Sequence, residues 1–232
     1  MPDFKTIYAE HAEQYDLLVA REDYQQNIIR AVSQIRPLGG LEVVEFGAGT
    51  GRLTYLLAPL VRSILAFDAS RHMLDVAAAK LARAGPANWK LAVADNRDLP
   101  ADDQSADLAI AGWTFGHMTE WYAATWRDEI GQAVREMRRV LRPGGTAIIL
   151  ETLGTGWETP HPPSEALAAY YAMLETDYGF ASTWIRTDYR FESQAEAEEL
   201  TGFFFGAASA TTTTEEGYAI VPECTGIWWL TR

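Results

Sequence analysis

Seven consecutive residues, Glu45-Phe46-Gly47-Ala48-Gly49-Thr50-Gly51, carry the strongest chemical signal in the chain. They follow a mostly apolar run at 41–44 and precede a stretch at 52–58 in which Leu53, Leu56 and Leu57 recur at helical spacing. Strand, glycine turn and helix open a βαβ nucleotide-binding unit. Glycine lets the backbone turn sharply and approach a ligand more closely than any side chain allows. The spacing is G-x-G-x-G, with Glu45 two residues ahead of Gly47. A dinucleotide fingerprint needs a third glycine where Arg52 stands, which speaks against a dinucleotide and leaves the ligand open.

Acids at three further positions bear on that ligand. Asp68 follows the second apolar run by one residue and lies 17 residues beyond Gly51. A carboxylate there offers two oxygens to the two adjacent hydroxyls of a ribose. Asp95, followed by Asn96, ends the third run, where a carboxylate can accept an adenine amino hydrogen; Asp107 opens the fourth. Open α/β sheets bind ligands at the carboxyl ends of their strands, so acids at successive strand ends are expected to converge on one crevice.

The elements that must hold these residues are legible from periodicity. Ile28, Ile29, Val32 and Ile35 fall on one helix face, stopped by Pro37 and the Gly39-Gly40 pair, which makes residues 1–40 an N-terminal helical cap. Residues 41–152 alternate strand and helix at short spacing. Runs at 64–67, 90–94, 108–111 and 146–150 read as strands. Ser70 caps a helix whose inner face is Met73, Leu74, Ala77 and Leu81, and Trp126, Ile130, Val134, Met137 and Leu141 mark another. Such alternation predicts an α/β, doubly wound, mostly parallel sheet. Beyond Glu151 it stops. A glycine- and proline-rich loop is followed by helical spacing at Leu167, Tyr170, Tyr171 and Leu174, then an extended stretch, so 153–192 is expected to form a substrate lid and a strand. Residues 193–232 supply a helix and the strands that complete the sheet.

Composition narrows the partners. A length of 232 residues suits one sizeable core with a small lid. A net charge of −13 argues against nucleic acid, whose phosphates need a basic patch. The single cysteine, Cys224, excludes an intramolecular disulfide and a cysteine zinc site, and no spaced group of histidines and carboxylates suggests a metal. The N-terminus lacks a signal-like apolar stretch, and runs such as 147–150 are too short to span a bilayer. The expectation is a cytoplasmic protein without a membrane partner, its oligomeric state open.

In order along the chain, Val43-Val44-Glu45-Phe46-Gly47-Ala48-Gly49-Thr50-Gly51, Phe67-Asp68-Ala69-Ser70 with Met73-Leu74, Ala94-Asp95-Asn96-Arg97-Asp98-Leu99-Pro100 and Leu141-Arg142-Pro143-Gly144-Gly145 resemble the successive motifs of class I S-adenosylmethionine-dependent methyltransferases. The resemblance covers about residues 41–152. It implies a Rossmann-like, seven-stranded sheet with an antiparallel last strand. It also implies S-adenosylmethionine as methyl donor, with S-adenosylhomocysteine as product. Gly47, Ala48, Gly49, Gly51, Asp68, Ala69, Met73, Asp95, Asn96 and Gly112 would surround it, with Glu45 near the methionyl amino group. Upstream, Ala12-Glu13-Gln14-Tyr15-Asp16 and Arg21-Glu22-Asp23-Tyr24 are similar to the cap of small-molecule members, notably sugar N-methyltransferases, which adds Tyr15 and Arg21 to the donor site.

On that reading the acceptor is a small molecule with an oxygen, nitrogen or carbon nucleophile, and the enzyme's task is positioning and exclusion of water. Gly112-Trp113-Thr114-Phe115-Gly116-His117-Met118 leaves the fourth strand where the methyl group should point. Trp113 and Phe115 are candidate pocket walls and His117 a candidate general base. Aromatic density in the expected lid adds Tyr170, Tyr171 and Trp184 to the substrate pocket. The competing readings are a nicotinamide-dependent oxidoreductase, disfavoured by Arg52 and the leading helices, and a non-catalytic nucleotide-binding module.

Overall fold

The computed structural model describes residues 4–205 and 211–232. Helices α1 (Phe4–Glu10), α2 (Ala12–Val19) and α3 (Asn27–Ile35) lead into β1 (Glu42–Phe46), α4 (Arg52–Leu57), β2 (Ser63–Asp68), α5 (Arg71–Ala84), β3 (Trp89–Val93) and β4 (Ala106–Gly112). A single 3-10 turn, Phe115–His117, precedes α6 (Met118–Trp121), α7 (Trp126–Val140) and β5 (Leu141–Thr155). Then come α8 (Glu165–Thr176), β6 (Ala181–Arg186), β7 (Tyr189–Phe191), α9 (Gln194–Phe205), β8 (Thr212–Thr213), β9 (Ala219–Val221) and β10 (Glu223–Thr231).

Seven strands form one sheet in the order β3-β2-β1-β4-β5-β10-β6. The first five run parallel, and β10 is antiparallel to both neighbours, β5 and β6. Both faces are apolar because both are covered, as parallel strands require. Consecutive residues leave a strand on opposite faces. Thus Val44, Ala109, Ala147 and Ile149 pack on the side of α7 and α8, whereas Val43, Leu108, Ile110 and Ile148 pack on the side of α3, α4 and α5. Ser70 caps α5 as its position suggests, its hydroxyl accepting the Met73 N–H. Among the described residues, no helix is long and apolar enough to cross a membrane.

The cover over the sheet's carboxyl edge differs from the lid expected at 153–192. Helix α8 sends Tyr170, Tyr171, Met173 and Leu174 into the core under the sheet, so it is the crossover between β5 and β6. Helical spacing reports a buried face and not which body that face meets. The cover combines the loop at 154–164 with α1, α2 and the segment between β6 and β10. There β7, β9 and β8 make a second, three-stranded sheet packed with α9. A small core of Leu18, Phe191, Ala197 and Val221 joins α2 to this insertion, and Arg21 ties it further through an ion pair with Glu196 at 2.6 Å.

Candidate active site

The glycine loop leaves β1 with Gly47, Gly49 and Gly51 all at positive φ (+66°, +55° and +76°), a conformation L side chains rarely adopt. Asp68, at the carboxyl end of β2, braces it. One carboxylate oxygen accepts the Gly49 N–H and the other the Ser70 N–H, both at 2.8 Å. Burial raises the Asp68 carboxyl, and those two N–H groups oppose the rise. A Cβ at Gly47 would stand 2.1 Å from Thr114 Oγ1. Thr114 in turn accepts from Asn96 Nδ2 at 3.2 Å, while Asn96 Oδ1 is buried with no partner.

Beside the loop lies a cavity of about 650 Å³ under the N-terminal helices and the β7–β9 insertion. Trp113 lines it at the end of β4, held at φ +51° with the Arg52 guanidinium 4.4 Å over its ring. His117 lines it too, stacked on Trp121 at 5.0 Å and hydrogen-bonded through Nε2 to the Tyr8 hydroxyl over 2.8 Å. Across from them Glu151, at the end of the apolar part of β5, accepts the Gly116 N–H at 2.9 Å and the Tyr170 hydroxyl at 3.4 Å, both on Oε1. Glu22, Glu120 and Glu223 complete the acidic lining. Burial pushes Glu151 and Glu223 up to about 8, the nearby Glu22 adding to the rise in Glu223.

Residues 43–145 match a family model described as a methyltransferase domain. That stretch spans β1 to the start of β5, and with it the loop, Asp68, Asn96 and His117. Among curated proteins, the uncharacterized protein YafE of Escherichia coli K12 is 32% identical over 57% of this chain and 58% of its own length. A demethylmenaquinone methyltransferase of Staphylococcus aureus is 28% identical over 63% of this chain and 58% of its own. The chain thus spans 58% of the length of these two relatives. Among solved structures, a SAM-dependent methyltransferase of Aquifex aeolicus superposes with a TM-score of 0.55 at 14% identity, covering 98% of this chain and 93% of that one. At that identity the likeness speaks for the fold.

Several residues singled out from the sequence stand elsewhere than expected around the methyltransferase domain. Phe115 is fully buried and meets Phe46 edge-on at 6.1 Å, so it is core and not a pocket wall. Tyr170 and Tyr171 are buried, Tyr170 in the core against Glu151 and Tyr171 stacked on Trp228 at 4.6 Å, and neither lines the cavity. Trp184 sits on the outermost strand, β6, 43% exposed and away from the cavity. Arg21 turns outward to Glu196 and Glu192 rather than inward to a donor. Glu45 is buried beneath the loop, Oε2 accepting the Thr54 hydroxyl at 2.5 Å, and burial pushes it up to about 7. Asp95 is taken by Arg97, whose guanidinium holds it below the usual carboxylate range. Asp107 lies at the opposite, amino edge of the sheet, where it accepts the Glu42 N–H and pairs with Arg142. An acid that opens a parallel strand cannot share a crevice with acids that end strands. Tyr15 and Trp113 do line the cavity, Tyr15 packed against Phe204 at 5.5 Å. Ala48 and Met73 are buried beside the loop, Met73 Cε 3.4 Å from where a Cβ at Gly49 would stand. Ala69 is exposed between Asp68 and Ser70, and Gly112 lies against Leu53.

Cavity residues given no chemistry from the sequence include Tyr8, Glu22, Glu120, Glu151 and Glu223. Glu151 had a readable signal, an acid directly ending the apolar run at 147–150, as Asp68 ends its own.

The loop geometry sets a prediction. Gly47→Ala would place a methyl group on Thr114 in a backbone conformation alanine resists, so affinity for S-adenosylhomocysteine should fall at least about tenfold and the melting temperature should drop. Gly39→Ala, with nothing within 4 Å, is the control and should change neither. Calorimetric titration of both variants decides whether the loop is as constrained as its dihedral angles indicate.

Proposed function

We propose that this protein transfers a methyl group from S-adenosylmethionine to a small-molecule acceptor bound in the cavity. The observation that carries the reading is the glycine loop, braced by both oxygens of Asp68, opening beside a cavity walled by Trp113 and His117. The donor set suits the nucleotide half of S-adenosylmethionine. The carboxylate of Asp68 stands where ribose hydroxyls would find it, and the partnerless Asn96 Oδ1 offers an acceptor for an adenine amino group. When bound, this donor supplies a sulfonium-activated, electrophilic methyl carbon.

The chain's own residues position, enclose and manage a proton. Tyr8, Tyr15 and Trp113 form an aromatic wall suited to cationic character near the transferring group. The N-terminal helices and the insertion exclude water, which strengthens every electrostatic contact inside. Burial brings His117 down to about 4, so it is neutral near pH 7, with Nε2 facing the Tyr8 hydroxyl. Proton removal from the acceptor falls to this His117–Tyr8 pair or to Glu151, which burial brings close to working pH.

Two measurements test the reading. S-Adenosylhomocysteine should bind in calorimetry and NADH should not; the reverse, or binding of neither, overturns it. With an acceptor in hand, His117→Ala should keep donor affinity within about twofold and lower turnover about 10²-fold, the usual size of an acid–base contribution. Full turnover in that variant would reduce His117 to packing on Trp121.

A further inference from the structure

We propose that Glu22 and Glu223 form an ammonium-binding subsite that recognises a positively charged group on the acceptor, apart from the end of the cavity where transfer takes place. The proposal rests on the methyltransferase reading and adds the charge class of the substrate. Both carboxylates line the cavity and both are buried, at 9% and 2% exposure. Each has one oxygen engaged and one left over. Glu22 Oε2 pairs with Arg52 Nη1 at 2.6 Å and Glu223 Oε1 accepts the Thr152 hydroxyl at 2.7 Å, whereas Glu22 Oε1 and Glu223 Oε2 are buried without a hydrogen-bond partner.

The balance of charge points to a missing cation. Arg52 is the guanidinium facing the pair, and it stands against two carboxylates. Arg186, on neighbouring β6, is committed to Asp188 at 2.8 Å, and Asp188 in turn accepts the Glu223 N–H at 3.0 Å. Tyr189 brings a hydroxyl to Glu22 and Thr155 one to Glu223, neither of which carries charge, and Arg52 Nη2 is itself buried without a partner. Burial, with Glu22 close by, pushes Glu223 up, and a cation at its free oxygen would favour the ionised form. Two carboxylate oxygens left bare in a buried site cost free energy unless a donor meets them. An ammonium carries three N–H donors and the lacking charge. Tyr189, Phe204 and Phe205 add rings to the cavity lining, which suits a cation on an apolar body.

Glu223 stands apart from the donor loop, whereas Glu22 reaches back toward it through Arg52, the residue after Gly51. Glu223 opens β10, three strands from the β1 that carries the glycine loop, about 14 Å at ordinary strand spacing. Thr152, which holds Glu223, follows Glu151 directly on β5, so their side chains leave on opposite faces of the strand. The Glu22–Glu223 pair therefore lies across β5 from the Glu151–His117 end. An ammonium gripped by carboxylates stays protonated and is no nucleophile. It is a handle that orients the acceptor, and the methylated atom lies toward His117.

The test titrates protein saturated with S-adenosylhomocysteine with phenethylamine and tryptamine, and with 2-phenylethanol as the uncharged counterpart. The amines should bind at least tenfold tighter than the alcohol. Glu223→Gln should weaken amine binding at least tenfold and erase the preference, and Glu223→Asp should restore part of it. Affinity for S-adenosylhomocysteine should stay within about twofold throughout. Glu22→Gln provides a second arm if Glu223→Gln does not fold. Amines that bind no better than the alcohol, or do not bind at millimolar concentration, overturn the subsite. An equal loss of S-adenosylhomocysteine affinity in Glu223→Gln also overturns it, because the pair would then serve the donor's methionyl ammonium. Failure of S-adenosylhomocysteine to bind wild type strikes the methyltransferase reading instead.

Discussion

Asp68→Ala should lose at least about 10²-fold in affinity for S-adenosylhomocysteine while remaining folded. The Asp68 carboxylate makes two short hydrogen bonds to the backbone, one on the glycine loop and one at the start of α5. Hydrogen bonds to a charged group contribute about 1.5–3 kcal/mol each, and about 1.4 kcal/mol is a factor of ten in a binding constant. Alanine removes both braces, leaves two N–H groups to find water, and takes away the acceptors proposed for the ribose. The loss is thus larger than for a residue that only touches ligand. Calorimetry reads the affinity and circular dichroism reads the fold. A variant that binds as tightly as wild type would remove Asp68 from the donor site and leave it as a loop brace.

The second large effect is on stability against pH. Glu45, Glu151 and Glu223 have ordinary values near 4.5, and burial, opposed in part by hydrogen bonds to Thr54, Gly116 and Thr152, raises them to about 7, 8 and 8. A raised carboxyl favours the fold in its neutral form. That contribution is complete below about pH 4.5 and is lost as pH rises through 7 to 8. Asp95, Asp107 and Glu136 act in the opposite sense. Their partners hold them low, so they stabilise above the usual carboxylate range and lose that contribution in acid. Stability should therefore peak near about pH 4–5, between the two opposed trends, and decline toward about pH 8 by several kcal/mol. Each tenfold change in a carboxyl's proton affinity on folding corresponds to about 1.4 kcal/mol, and three carboxyls are displaced together. Glu151→Gln removes one of the three buried titrations. It should flatten the alkaline limb of urea denaturation midpoints against pH and exceed wild type in stability at pH 9. A wild-type profile that is flat or rising from pH 6 to 9 would mean these carboxyls ionise without cost.

The local features of the site were legible because local rules create them. Glycines at 47, 49 and 51 announce a turn that other residues resist, and all three adopt positive φ. The apolar runs at 64–67 and 108–111 announce strands covered on both faces, and Ser70 announces a helix start. Asp68 could be placed at a strand's carboxyl end because it directly follows such a run. Asp107 misled for the same kind of reason: an acid next to an apolar run marks an edge of the sheet, but only chain direction tells which edge. Tyr170, Tyr171 and Trp184 misled differently. Aromatic rings bury about as much area in a core as in a pocket wall, and periodicity says which side of a helix is buried, not whether the space it faces is filled.

By itself, then, the sequence determined the order of elements, the glycine loop and the strand end that braces it, because each depends on backbone preferences within a few residues. The tertiary structure alone decided the cavity beside it. Tyr8 arrives from α1, Glu22 from just beyond α2, Arg52 from α4, His117 from the turn after β4, Glu151 from β5 and Glu223 from β10. These six share no spacing in the chain. What brings them together is the wrap of the N-terminal helices and the β7–β9 insertion over one edge of the sheet, a matter of long-range packing on which residue order is silent. The same packing raises Glu151 and Glu223, since burial, the largest influence on both, exists only once the chain has closed over them.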